Sequence, residues 1–554
     1  MALDTSAVAQ DWRLLVEIEL TGLTLKVAEE PIAMDDGSFY EGDLRDLNSI
    51  FQSAGQILAP KVQTSRFNFS LDNSEATYTT HFADYTWRNR TVTIKGGQGN
   101  VIADYEDVYV GRVLVSGGVR FDENLMRINL TDPRNEDAKT LPANKFLPSA
   151  YPNMEEKSKY VPIPVVYGDF GSGATTGGER IPAFQIDSTV GTGGQFKWAD
   201  HAVKDLELVW KRSSGGAWSS VAFSSESNSD ATFTLDVSYD PDLDEIAVNG
   251  KGATDDGTET GTLLQTLPDI VDDILQTHLS VASGSIDATA FSDWESSLHV
   301  SEYGRRWIGK EISSNTLITE ALVEGFADMT IQGGKYCPVY RIVPLTSLDT
   351  MRESDIISNR DGTKMIATAS DPEETYLNEV AADYDFAPVS DRYAVRYEKA
   401  DSAEQSDAGL NVRRRMKHNW LYLQVGAETR GERELFFMSQ ETEIVTLTLG
   451  PRAITKLPTD LFRLVYAQYV EDAAGLGVPF QIRQIESNYK AMRATVVAWN
   501  FAAFAFGRWT DDLATTWLLS TEIERDEQGY WTDADGYADT SVTPDEDSKD
   551  SIWI

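Results

Sequence analysis

Apolar and polar positions alternate with a period of two over most of the first third of the chain. The runs TVTIKGGQG from Thr91, VYVGRVLVSGGVRF from Val108 and MRINLTD from Met126 each put apolar residues on one side of an extended backbone. Such alternation predicts half-buried antiparallel strands. Gly117-Gly118, between two alternating stretches, predicts a tight hairpin, and Asp122-Glu123-Asn124 a further turn.

VPIPVVYGDFGSG, Val161 to Gly173, closes this region. A phosphate loop would need backbone N–H groups converging at a helix start, and in the Walker form a Lys-Ser/Thr pair. Here Gly171, Gly173, Gly177 and Gly178 run into Glu179, Arg180 and Ile181-Pro182, with no lysine and no helical period. Pro162 and Pro164 lack a ladder donor and suit a sheet edge or crossing, so the stretch reads as a junction between domains. From Gly171 to about Thr262 the chain is rich in Gly, Ser, Thr and Asp, with strand-like pieces at Leu206–Lys211 and Ala231–Val237, and reads as an inserted small β-domain.

The period then changes. In TLPDIVDDILQTHL, Leu267, Ile270, Val271, Ile274, Leu275 and His278 share a helical face, and Pro268 sits in the first turn, where its missing N–H costs nothing. In SSNTLITEALVEGFAD, Ser313 or Ser314 caps a second helix whose stripe is Leu317, Ile318, Ala321, Leu322 and Phe326. Gly333-Gly334 then turns the chain into YCPVYRIVPL, giving the order helix, helix, hairpin. Beyond it RYAVRYEK, LFFMSQETEIVTLTLG, DLFRLVYAQYV, FQIRQIES and MRATVVAWNF predict a second large β region up to about Phe506. The fold class is thus mainly β with a smaller α/β part: a multidomain chain of antiparallel β-barrels and sheets flanking a helix-containing domain. The expected divisions are residues 1–166, 167–262, 263–345, 346–510 and an acidic aromatic tail, 511–554.

Length supports several cores, since 554 residues exceed what one core holds. A net charge of -40 opposes DNA binding by phosphate neutralisation, which needs a basic surface. The single cysteine, Cys337, excludes an intrachain disulfide and a cysteine-rich zinc site; on a strand between Tyr336 and Pro338 it reads as an inert thiol. MALDTSAVAQDWRLL lacks the basic start and apolar core of a signal peptide, and the longest apolar run, Val496 to Phe506, is too short to span a bilayer, so no stable membrane insertion is expected.

Candidate chemistry is sparse. His81, His201, His278, His299 and His418 show no paired spacing. In WTDADGYAD, Asp533, Asp535 and Gly536 match positions three, five and six of an EF-hand loop, but position one is Trp531 and position twelve is Val542, so two essential ligands are missing. No carboxylate pair is singled out as catalytic, and no metal or cofactor is expected. Arg413, Arg414, Arg415 and Lys417 form the one basic knot in an acidic chain, either a solvated strand end or an electrostatic clasp for an acidic neighbour such as another subunit. Residues 521–554 are too charged to fold alone, yet Tyr530, Trp531, Tyr537, Ile552 and Trp553 are too apolar for a solubility tag. This segment is expected to be mobile in the isolated chain and to dock its aromatics on a neighbouring subunit or another protein of its assembly, favouring a basic groove.

In order, YVGRVLVSGGVRFDENLMRINLTD, LPANKF, VPIPVVYGD, LPDIVDDILQTHLSVASGSIDATAF, ISSNTLITEALVEGFADMTIQGGKY, DLFRLVYA, PFQIRQIESNYKAMRATVVAW and GYWTDADGYADTSVTPDEDSKDSIWI form a succession of elements. That succession resembles the tail-hub proteins of tailed bacteriophages, the ring at the tail tip or baseplate on which the tail tube rests. The resemblance covers most of the chain and is weakest from Gly171 to Thr262. It implies a non-enzymatic structural protein of the virion tail, assembled in the host cytoplasm as a homotrimer whose two β-barrel domains per chain face a hexameric tube. Its implied partners are a tail tube or distal tail protein and a spike, fibre or tape-measure protein. DNA would pass in transit through a lumen whose carboxylates repel phosphate. Two rival classes are a receptor- or carbohydrate-binding tail protein, with Trp198, Trp210 and Trp218 exposed on the insert, and a tail-associated hydrolase.

Overall fold

The computed structural model describes residues 12–500, apart from positions 48, 468 and 490 and the segments 54–65, 132–137, 172–178, 299–301, 342–347, 371–375, 440–442 and 470–476, together with 508–509, 528–531 and 551–552. The fold is mainly β, built of several antiparallel sheets and few helices.

The first sheet has eight strands, in the order Leu23–Ala28, Trp12–Leu20, Thr91–Gln98, Glu106–Val113, Leu125–Thr131, Arg66–Asp72 and Leu44–Arg45, with Val119–Asp122 also on Leu125–Thr131. Period-two patterning puts Val16, Ile18, Phe69, Val92, Ile94 and Ile128 in one core. The sheet curls until it nearly closes: Val27, in the outermost strand, bridges Glu41, which leads into the opposite edge at Leu44. The helix Thr77–Asp84, which the strand pattern concealed, packs Tyr78 into the same core.

Gly117-Gly118 does not make the expected hairpin. Val113 faces Leu130 and Val119 faces Ile128 on the same edge of Leu125–Thr131, so the intervening residues loop out of one long interrupted strand, and the hairpin turns at Glu123-Asn124. The Asn129 N–H bonds to the Gly118 carbonyl and the Leu114 N–H to the Asn129 carbonyl, which seals the neck of the bulge. A Cβ on Gly118 would stand 2.1 Å from the Leu114 oxygen, so glycine is required here for close packing rather than for a tight turn.

The junction Val165–Tyr167 is a short strand on Arg306–Ile308. The chain then enters two four-stranded sheets, Ile181–Pro182, Asp244–Lys251, Asp205–Ser213, Ser219–Val221 and Phe184–Asp187, Gln195–Lys197, Thr232–Leu235, Phe223–Ser227. Phe196, Trp198, Val209, Phe233, Leu235 and Val248 form their core.

The helical part follows the expected order with one addition. Leu267–Asp273 starts at Thr266, whose Oγ1 accepts the Asp269 N–H, and continues as a wider π turn over Ile274–His278. A further helix, Ala288–Ser297, is capped by Asp287 and buries Phe291 and Trp294. Ser314–Glu324 has no capping bond from the Ser313 side chain; the Ser314 hydroxyl accepts the Lys139 N–H instead. Ala327–Gln332 and Lys335–Tyr340 are joined at Gly333-Gly334, both at positive φ, as a two-residue hairpin turn of this twist requires.

The last large sheet runs Asp349–Arg352, Leu461–Val465, Val478–Asn488, Arg493–Asn500, Glu443–Leu449 and Ile366–Ser370. It too curls, because Arg352 pairs with Val465 at one edge while Ile356, four residues on, bridges Leu449 near the other. Ile50–Ser53, from the first part of the chain, joins it as a strand on Val478–Asn488. The stretch LFFMS is helical rather than strand, being the end of Gln424–Ser439. Its buried stripe, Ala427, Arg430, Glu434, Leu435 and Met438, has helical spacing but carries a charged pair at its centre, so apolar periodicity alone missed it.

Candidate partner interface

The basic knot is a strand. Arg413–Lys417 lies parallel to Glu379–Ala387, whose other edge carries Arg392–Ala400 antiparallel. Register puts Glu379 beside Ala400 and Arg413, Ala381 beside Glu398 and Arg415, and Asp383 beside Arg396 and Lys417. These residues share one face. The opposite face, including Val380, packs on the helix Gln424–Ser439, where a Cβ on Gly431 would sit 3.0 Å from the Tyr397 ring.

On the outer face Asp383 and Glu379 lie low with guanidiniums above them, while Glu398 stands level with the arginines. The Asp383 carboxylate accepts from Arg396 Nε and Arg415 Nη2 at 2.7 and 2.6 Å, and Arg413 pairs with Glu379 at 3.2 Å and with Glu398. The Asp383 and Glu379 side chains are 6% and 15% exposed, against 45% for Arg396 and Arg413 and 60% for Arg415. Burial alone would raise the Asp383 pKa, but hydrogen bonds and charge from Arg396 and Arg415 outweigh it and hold the carboxyl below its ordinary range. Lys417 Nζ lies over the Tyr393 ring at 5.8 Å.

The loop after this strand is pinned from below. Glu324, at the end of the helix Ser314–Glu324, is buried and accepts the backbone N–H groups of Asn419, Trp420 and Leu421 at 2.6, 2.9 and 2.9 Å. Burial pushes its pKa up to about 7, against the opposing effect of those bonds. His418 is buried beside Arg430, and desolvation first, then that cation, lowers it to about 3.

A second arginine centre has the same composition and the opposite setting. Asp328, on the hairpin, binds Arg341 at 3.1 Å and Arg483, on the last sheet, at 3.0 Å, with all three side chains buried. Burial raises the Asp328 pKa, but the two guanidiniums reverse the shift and lower it.

Of the other sequence candidates, Trp198 is core and not a surface aromatic. Trp210 lies under Arg180 at 4.4 Å and donates to Asn249, while Trp218 stacks with Arg212 at 4.7 Å. Guanidiniums therefore already occupy ring faces that a sugar would use. Cys337 is buried, which raises its thiol to about 11. Among the described residues no three His, Cys, Asp or Glu side chains cluster to hold a metal ion, and no helix is long and apolar enough to cross a membrane. Tyr530 and Trp531 fall on the strand Gln528–Trp531, paired with Ser551–Ile552. Tyr537, Trp553, His299 and the Asp533-Asp535-Gly536 loop lie outside the described residues.

No family model matches this chain, and no curated protein does. Among solved structures it is similar to the 43 kDa tail protein of prophage MuSo2 from Shewanella oneidensis, at 11% identity over 88% of this chain and 98% of that one, with a TM-score of 0.39. It is also similar to the tail protein from Neisseria meningitidis MC58, at 9% identity over 88% and 96%, TM-score 0.37. A third is a chain from the virion of the native gene transfer agent particle, at 12% identity over 63% and 86%, TM-score 0.41.

Proposed function

We propose that the protein is a structural component of a phage tail, forming the hub ring at the tail tip or baseplate that joins the tail tube to spike or fibre proteins. The observation that carries this reading is the presence of two curled β-sheets, one in each half of the chain, tied together by the strand Ile50–Ser53. Three such chains in a closed ring would present six barrel-like units to a hexameric tube, and closed symmetry satisfies every self-contact. The order of sequence elements supports the same reading. The net charge of -40 suits a channel wall to which passing DNA does not adhere. On this reading the protein has no catalytic task, and its partners are other copies of itself and other tail proteins.

Native mass measurement of the purified chain, combined with electron cryomicroscopy of the particles that contain it, tests the proposal. A trimer in solution or in the particle, with both curled sheets facing the tube, is the expected result. A monomer in both settings overturns it.

A further inference from the structure

The guanidinium face on Arg392–Ala400, Glu379–Ala387 and Arg413–Lys417 stands out in a chain that carries 88 acidic and 48 basic side chains. Because Asp383 and Glu379 lie beneath the arginines that they neutralise, solvent or a partner meets the four cations Arg396, Arg413, Arg415 and Lys417 against one exposed carboxylate of this face, Glu398. The outer strand Arg392–Ala400 is exposed along most of its nine residues and, among the described residues, pairs on one side only.

We infer that this face is the docking surface for the acidic aromatic segment of the same chain, residues 511–554. Three observations point to that occupant. The segment carries thirteen acidic and two basic side chains, which complements the face by charge. It leaves the body at the right place: Trp499, at the end of the strand Arg493–Asn500, packs with Val380 and Met416 on the inner side of this three-stranded sheet. Residues 501–510 can extend about 33 Å, and three strands about 4.8 Å apart present an edge that such a length passes easily. Third, Gln528–Trp531 pairs with Ser551–Ile552, so two separated stretches of the segment lie side by side.

Tethering favours the chain's own segment over that of a neighbour, since a short linker gives an effective concentration in the millimolar range. The expected docking partner of the tail thus becomes the chain's own sheet. This docking is read within one chain and is independent of the hub assignment.

Hydrogen exchange on the full chain at 0.05 and 0.5 M salt tests the inference, using wild type, Arg413→Gln/Arg415→Gln and Asp533→Asn/Asp535→Asn/Asp539→Asn. Amides in 511–554 are expected to exchange at least tenfold more slowly in wild type at low salt than in either variant, and high salt should abolish the difference. Equal exchange in wild type and the Asp-to-Asn variant overturns the inference, and that variant decides even if the arginine variant unfolds. Protection that rises with protein concentration also overturns it, because the segment would then dock on a second copy.

Discussion

Two centres in this molecule have the same parts: one aspartate and two arginines. At Asp328, with Arg341 and Arg483, all three groups are buried and come from the hairpin and the last sheet. At Asp383, with Arg396 and Arg415, the aspartate is buried but the arginines are 45% and 60% exposed and come from the two strands that flank it in one small sheet. The first joins parts of the chain far apart in sequence and is buried, so solvent does not replace a lost partner. The second is solvated on one side, so water or another anion can take over when one partner leaves. Equal stoichiometry therefore gives a lock in one place and an adaptable surface in the other.

The largest effect should come from removing the buried anion. Asp328→Ala leaves two desolvated guanidiniums with no carboxylate between them, and should destabilise the protein by about 3–5 kcal/mol. The shift in the denaturation midpoint measures it; a loss below about 1 kcal/mol would erase the contrast between the centres.

Glu324 sharpens the comparison, as a buried carboxylate that accepts three backbone N–H groups. Its folded pKa of about 7 lies above the ordinary glutamate value. The folded state therefore holds an extra proton between about pH 4.3 and 7. Stability from this group should fall as pH rises through that window, by up to about 1.4 kcal/mol per unit, and level off above it. Comparing wild type with Glu324→Gln from pH 5 to 8 isolates the effect, because the variant lacks the titrating group. A wild-type advantage that grows with pH would contradict the assignment.

The smallest effect is expected at the exposed centre. Arg415→Gln should cost at most about 1 kcal/mol, and the loss should shrink further in 0.5 M salt. A loss comparable to that of Asp328→Ala, insensitive to salt, would show that the outer face is a lock after all.

Elements whose signal is local can be read from neighbouring residues alone. Alternation at Thr91–Gln98 and Arg493–Asn500 requires only that one face of each strand be buried, and Gly333-Gly334 supplies positive φ wherever the hairpin is placed. The stripe at Leu317, Ile318, Ala321 and Leu322 is likewise readable along the chain. The basic knot was legible too, as four cations within five residues, Arg413 to Lys417.

What those elements meet depends on packing between distant parts of the chain. Gly117-Gly118 looks like a hairpin until Leu125–Thr131 is seen to pair on both sides of the bulge. Gln424–Ser439 hides its helical stripe because Arg430 and Glu434 are buried as a pair, and such a pair is recognisable only once its surroundings are known. Neither Asp328 nor Arg483 announces itself in sequence: they stand 155 positions apart, and their strong interaction exists because folding removes the water between them. Strand and helix periods are written in neighbouring residues, whereas desolvation, and with it the strength of every charge in this acidic chain, is set by what packs from elsewhere.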